Sequence, residues 1–200
     1  METLTFSQLP IAGLWWLMRH LRFFFWGCYN RLAGPLKFEY VGKEIKFNGP
    51  VHVEHPFSKI RIGSYSRIGV RCYFLAKAPG RIVIGENAYI NVNCYITSCN
   101  GIQIGDNVLI AENVSIRDYD HEYSDTGKPI FLQGLRDAPI YIGDDVWIGR
   151  GVMITSGVTI GKGCIIGANA VVTKDLPDYS IAVGIPARVI RTRKNPVETM

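Results

Sequence analysis

The fold that this sequence predicts is mainly β, a parallel β-helix of six-residue repeats, and three observations predict it. The first is a period of six. Ile142-Gly, Ile148-Gly, Ile154, Ile160-Gly, Ile166-Gly and Val172 run without a break, preceded by Ile104-Gly, Ile110-Ala and Ile116. Earlier in the chain, Ile62-Gly and Ile68-Gly lead to Phe74, and Ile84-Gly and Ile90 lead to Ile96. The second is a small or β-branched residue four positions after each of these: Val108, Val114, Val146, Val152, Val158, Cys164, Ala170, and earlier Ser66, Cys72, Ala88 and Cys94. Two inward slots per hexad describe the wall of a β-helix, in which stacked coils bury a column that no single coil could bury alone. The third is the pattern of interruptions. Phe74 to Ile84, Ile96 to Ile104 and Ile116 to Ile142 are spaced ten, eight and twenty-six where six is expected. With three hexads to a coil, all three insertions leave the helix at one corner, where a rigid scaffold tends to carry function.

Each element of the repeat has a chemical reason. The glycine after the aliphatic residue is expected to permit the tight backbone of the corner. Cys72, Cys94 and Cys164 occupy the small inward slot and are expected as core fillers; Cys99, at an inserted corner, is the candidate exposed thiol. The fifth cysteine is Cys28, and no CxxC pair occurs, which with the lack of a signal-type cleavage pattern favours a reducing cytoplasm.

The chain of 200 residues fits one domain with short appendages. Its 22 basic and 17 acidic side chains leave a formal charge of +5, a modest excess that suits an anionic ligand and falls short of a nucleic-acid-binding tail. Ile11 to Leu32 is the most apolar stretch, yet Arg19, His20, Arg22 and Arg31 interrupt it, so it does not read as a bilayer span. Leu14, Leu17, Met18, Leu21, Phe25, Cys28 and Leu32 form one helical stripe in it. Trp15, Trp16, Arg19, His20, Phe23 and Trp26 lie opposite, a face that suits attachment to the inner surface of a membrane or packing against a protein. The expected divisions are therefore a helical segment over 1–40, the β-helix over 41–187 with an extruded loop at 117–139, and a basic tail over 188–200.

Residues 139–191 resemble the C-terminal half of the hexapeptide-repeat acetyltransferases, and the resemblance covers roughly 60–191. Three segments carry it: VWIG at Val146–Gly149, VVTKD at Val171–Asp175 and VGIPARVI at Val183–Ile190. The nearest groups are the galactoside, maltose and nodulation O-acetyltransferases and the capsule or colanic-acid O-acetyltransferases. The resemblance implies a left-handed β-helix, against the right-handed rule for other crossovers. It also implies a homotrimer with active sites between subunits, acetyl-CoA as acyl donor with no metal, and a sugar hydroxyl in polysaccharide or glycan biosynthesis as acceptor.

Acyl transfer to a hydroxyl needs a base, and His121 is the single histidine in the long insertion. In the resembled enzymes a loop histidine at this position takes the proton as the acceptor attacks directly. Asp118, Asp120 and Glu122 flank it, and any of them, or a backbone carbonyl, could orient the imidazole. AYINVNCYI at 88–96 is similar to the family's Y-x-N-x-N stretch, which makes Asn91 a candidate for contact with base and acceptor; a corner asparagine closing its own turn is the bland alternative. Eight residues on, the galactoside and maltose enzymes carry an acceptor-binding aspartate where this chain has Cys99. The resemblance assigns Trp147 to the thioester end of the coenzyme, the backbone near Arg150 and Ala168 to its pantetheine amides, and Thr173, Lys174, Arg188 and Arg191 to its nucleotide end. Competing readings are N-acetylation of an amino sugar and a non-catalytic β-helix scaffold. A zinc enzyme on the same fold would need three convergent histidines, and the four present, His20, His52, His55 and His121, offer no such set.

Overall fold

The computed structural model describes residues 38–54 and 58–193. Most of them form three parallel sheets, the three faces of a prism. The first coil contains Phe38–Val41 on the first face, Lys46–Phe47 on the second and His52–Val53 on the third; the sixth contains Thr159–Ile160, Ile165–Ile166 and Val171–Val172. Apart from a bulge in Phe38–Val41 against Ser58–Ile62, consecutive coils stack in register, as where Leu109–Ile110 lies between Tyr89–Ile90 and Trp147–Ile148. Both predicted slots point inward. Ile62, Ile68, Phe74, Ile90, Ile96, Ile116, Ile148 and Ile154 are fully buried, as are Ser66, Cys72, Cys94, Val108, Val114, Cys164 and Ala170. The Cys72, Cys94 and Cys164 thiols donate to backbone oxygens of the next turn of chain, those of Asn91, Ala111 and Pro177.

The insertions at 77–81, 99–101 and 118–139 follow strands Tyr73–Ala76, Tyr95–Ser98 and Ser115–Arg117, all on the third face, and so leave at one corner. At the far end Ser180–Val183 continues the second face and Arg188–Thr192 returns antiparallel along it, so 188–192 of the expected tail is strand. Phe38, Glu39 and Tyr40 are strand rather than helix because they pair with Ser58–Ile62. The stripe expected at 11–32 lies outside the described residues, and no helix among the described residues is long and apolar enough to cross a membrane.

One expectation requires correction. The glycines after the aliphatic residues do not supply the unusual corner conformation. Left-handed φ angles fall two positions later, mostly at Asn, Asp or Gly (Asn87, Asn93, Asn107, Asn113, Asp145, Gly151, Gly163 and Asn169), types that tolerate them, and also at Tyr65 and Arg71. The glycines instead admit the neighbouring coil. A Cβ on Gly69 would sit 2.5 Å from the Asn91 carbonyl carbon and 2.6 Å from the Val92 nitrogen. Gly69→Ala is therefore expected to destabilise the fold by about 2–3 kcal/mol, as overpacking does, and Asn113→Ala by about 1 kcal/mol, the left-handed penalty. Urea denaturation of both variants checks this order.

Candidate active site

The long insertion is anchored by one carboxylate. Asp118 is fully buried and accepts four hydrogen bonds, from Ser98 Oγ (2.6 Å) and the backbone N–H groups of Cys99 (2.7 Å), Asn100 (3.0 Å) and Gly101 (2.7 Å). Its own carbonyl accepts from Ala138 N–H at 3.0 Å and Ser156 Oγ at 2.8 Å, which draws the two ends of the loop together. Beyond this neck Tyr119–His121 pairs antiparallel with Leu135–Asp137, placing His121 opposite Leu135. The outer part is tied by Gln133, which takes the Asp125 N–H and donates to the Asp125 and Lys128 carbonyls.

His121 is exposed on this hairpin. The acids that flank it in sequence serve other groups. Asp118 is committed to the neck, and Glu122 accepts from the Tyr123 and Ser124 N–H groups, which hold its carboxyl below its usual range. Asp120, next to His121 on the strand, projects from the opposite side of the hairpin. None of the three is hydrogen-bonded to the imidazole. Cys99 is half-buried, and burial with the nearby Asp118 carboxylate pushes its thiol above the usual range. Asn91 adopts the turn-closing arrangement, its Oδ1 accepting the Val92 N–H at 2.8 Å, which leaves Nδ2 available to donate.

The other candidates divide between two edges. Asn91, Arg150 and Ala168 lie on the corner between the second and third faces, and Trp147 stands 52% exposed on the second face, stacked between Leu109 and Ile165. Arg188, opposite Val183, reaches the same corner at the top of the stack, and Arg191, opposite Ile181, lies further back along the second face. Thr173 and Lys174 follow the last strand of the third face, so they share the corner from which the His121 loop leaves. In one chain, His121 and Trp147, with Asn91, Arg150 and Ala168 beside it, thus occupy different edges of the prism.

These edges differ in their free backbone donors. On the corner between the first and second faces, aspartates of the following coil cap the turn: Asp106 accepts from Glu86 N–H, Asp144 from Asp106 N–H and Asp178 from Lys162 N–H. At the matching positions of the next corner, Arg150 and Ala168 are exposed and their N–H groups meet no acceptor among the described residues. An open row of amide donors fits an extended chain bearing amide carbonyls, which is what the pantetheine arm of coenzyme A presents. Among the described residues, no three His, Cys, Asp or Glu side chains gather as a metal-ligand set.

Fold and edge geometry together define the class of hexapeptide-repeat acyltransferases. The family model described as bacterial transferase hexapeptide (six repeats) matches residues 139–174, and that of the hexapeptide repeat of succinyl-transferase matches 81–117. Galactoside O-acetyltransferase of Escherichia coli is 45% identical over 158 residues, covering 74% of this chain and 73% of that one. The "probable acetyltransferase Rv3034c" of Mycobacterium tuberculosis is 34% identical over 180 residues, 90% of this chain; the chain spans only 58% of that relative's length. The chain belongs to the hexapeptide-repeat acetyltransferase family. Among solved structures, a Vibrio cholerae hexapeptide-repeat acetyltransferase complexed with acetyl coenzyme A is 27% identical with a TM-score of 0.62, covering 84% of this chain and 79% of that one. A Bacillus cereus N-acyltransferase in complex with dTDP and coenzyme A, 24% identical, has a TM-score of 0.72 over 84% of this chain and 91% of that one, and shares the left-handed β-helix fold.

The sequence reading missed Asp118 as the anchor. The available signal was an acid directly after the last strand before the long insertion, one coil above a Ser-Cys-Asn-Gly corner rich in free N–H groups. Asp118→Ala is expected to lower stability by about 2–4 kcal/mol, because four donors lose a charged acceptor, with Asp118→Asn intermediate. Denaturant titration, with hydrogen exchange at Asn100 and Gly101, measures it.

Proposed function

We propose that this protein is an acetyl-CoA-dependent O-acetyltransferase that acts on a sugar hydroxyl in glycan biosynthesis, working as a homotrimer whose sites lie between chains. The observation that carries this reading is the split just described: an open amide edge beside Trp147 on one corner, and the loop histidine on another. A second chain placing its His121 corner against the Trp147 edge of the first would unite them, and closed rotational symmetry would make three equal sites. The relation to galactoside O-acetyltransferase supports a sugar hydroxyl as acceptor.

The thioester supplies an activated acetyl group. Arg150 and Ala168 N–H groups hold the donor's amide-bearing arm along the edge, Trp147 packs beside its reactive end, and Lys174 and Arg188, with Arg191, attract its phosphates. Asn91 Nδ2 is free to donate to the acceptor sugar, and Cys99 stands at the corner where related enzymes place an acceptor-binding aspartate. As the acceptor oxygen bonds to the acetyl carbon, its proton passes to His121, and the same proton is then available to the departing sulfur. N-acetylation of an amino sugar would use the same geometry with less demand on the base, and a comparison of sugar and amino-sugar acceptors distinguishes the two.

His121→Ala is expected to lower kcat on the order of 100- to 10,000-fold with folding and acetyl-CoA affinity retained; turnover near wild type in a folded variant would remove His121 from the reaction. Lys174→Ala should raise the KM for acetyl-CoA more than it lowers kcat, since a remote charge contributes uniform binding. Discrimination against the donor lacking its 3′-phosphate should weaken in the same variant. The shared site makes a sharper demand. Two inactive chains, His121→Ala and Asn91→Ala, mixed in one oligomer should recover roughly a quarter of wild-type activity, the statistical share of intact interfaces. Mixed oligomers that stay inactive would place the whole site within one chain.

A further inference from the structure

A cavity of about 480 Å³ lies on the first face, lined by none of the residues proposed for catalysis or coenzyme binding, within the size range of small-molecule sites. Its charged lining residues are Lys59, Arg61, Arg81 and Glu39, and Asn100 lines it as well. The three cations come from adjacent coils. Lys59 and Arg81 immediately precede the paired residues Ile60 and Ile82, and so stack one above the other, while Arg61 lies over Val83. Like charges opposite one another on neighbouring strands are unfavourable unless something compensates them. Glu39 approaches only Arg61, at 3.8 Å, and neither Lys59 nor Arg81 has an acidic partner among the described residues.

Asn100 also links the cavity to the base of the His121 hairpin. Asn100 Nδ2 donates to Asp137 Oδ1 at 2.7 Å, and Asp137 pairs with Tyr119, two residues before His121 on the hairpin.

We propose that this cavity binds the phosphate or diphosphate of a phosphorylated acceptor sugar and thereby selects anionic acceptors over free ones. The proposal rests on the acetyl-transfer reading above for the identity of the acceptor; the anion site itself does not. Two cations with no acid to neutralise them, and a third only loosely paired, match the charge of a diphosphate, and the arginines can bind its oxygens in bidentate fashion.

The test begins with calorimetric titration of the full chain with inorganic pyrophosphate. The exposed double substitution Lys59→Ala/Arg81→Ala should weaken binding by about tenfold or more, and Lys59→Arg/Arg81→Lys should restore it, which separates loss of charge from loss of fold. In steady-state assays the alanine variant should show a raised KM for a nucleoside-diphosphate hexose or a prenyl-diphosphate hexose. Whichever of the two responds identifies a soluble or a lipid-borne source, and the KM values for free hexose and acetyl-CoA should not change. Equal pyrophosphate affinity in wild type and alanine variant, or no binding to either, overturns the proposal. A rise in the KM for acetyl-CoA also overturns it, by assigning the cavity to the coenzyme's own phosphates. Pyrophosphate binding that is lost in the variant, with no transfer to any sugar or amino sugar, keeps the anion site and overturns the acetyl-transfer reading instead.

Discussion

The spacing between coils is the constraint on which the rest of this structure depends. Parallel strands joined by backbone hydrogen bonds lie about 4.8 Å apart, and here the bonding continues through the corners, with Gly63 N–H to Ile84 O at 2.8 Å and Gly69 N–H to Ile90 O at 2.7 Å. Backbone therefore rests on backbone where most folds would place side chains, and any Cβ at those positions meets the next coil. Glycine is selected there by proximity, and asparagine two residues later by the left-handed turn. The two roles are distinct, although both come from the same need to turn the chain through a prism corner in four residues without opening the stack. A stack that cannot open cannot absorb extra residues either, and each of the three insertions is expelled at the single corner where successive coils are allowed to differ.

This division explains what was legible in the sequence. Inward slots repeat, so their periodicity is visible without any knowledge of contacts, and it placed Ile62 through Val172 and the three buried cysteines in their positions. The reason for Gly63, Gly69 or Gly85 was misread because proximity to the next coil is a relation between residues about twenty apart, whereas backbone conformation is local. The same distance in sequence hid Asp118, whose four donors are Ser98 and the three residues after it. His121 was conspicuous as the one histidine of the insertion, but the repeat alone did not show that it lies on a different edge from Trp147 and Asn91; a site shared between chains came only from the family resemblance. The helical reading failed at Phe38–Tyr40 because an aromatic stretch gives no sign of where strand pairing to Ser58–Ile62 begins.

The two fully regular corners show how a symmetric scaffold is made functionally asymmetric. On one, Asp106, Asp144 and Asp178 give the turns at Glu86, Asp106 and Lys162 an acceptor from the following coil, and that edge presents carboxylates to solvent. On the other the equivalent positions are Glu112, Arg150 and Ala168, the capping aspartates are missing, and Arg150 meets Glu112 at 3.5 Å on the surface. Removing one short acid per coil leaves the stack intact, because the bonds between coils are made by other groups. It also exposes a line of donors at the repeat of the fold, and a ligand with spaced amides can read that line without any side chain being specific for it.

The anchoring of the loop bears on position 99 as well. Family resemblance places an acceptor-binding aspartate there, and this chain has a half-buried cysteine. Asp118 sits directly behind it, fully enclosed, with Oδ1 on the Cys99 N–H. Its field already opposes ionisation of the thiol, and a second carboxylate at 99 would meet the same opposition more strongly, since two acids sharing a partly desolvated corner cannot both hold their charge at low cost. Asp118 thus supplies the negative charge of this corner, but spends it on Ser98 and three backbone donors instead of on a ligand. With that carboxylate enclosed, position 99 offers a ligand no charge of its own, and the residue beside it, Asn100, belongs to the lining of the cationic cavity on the first face.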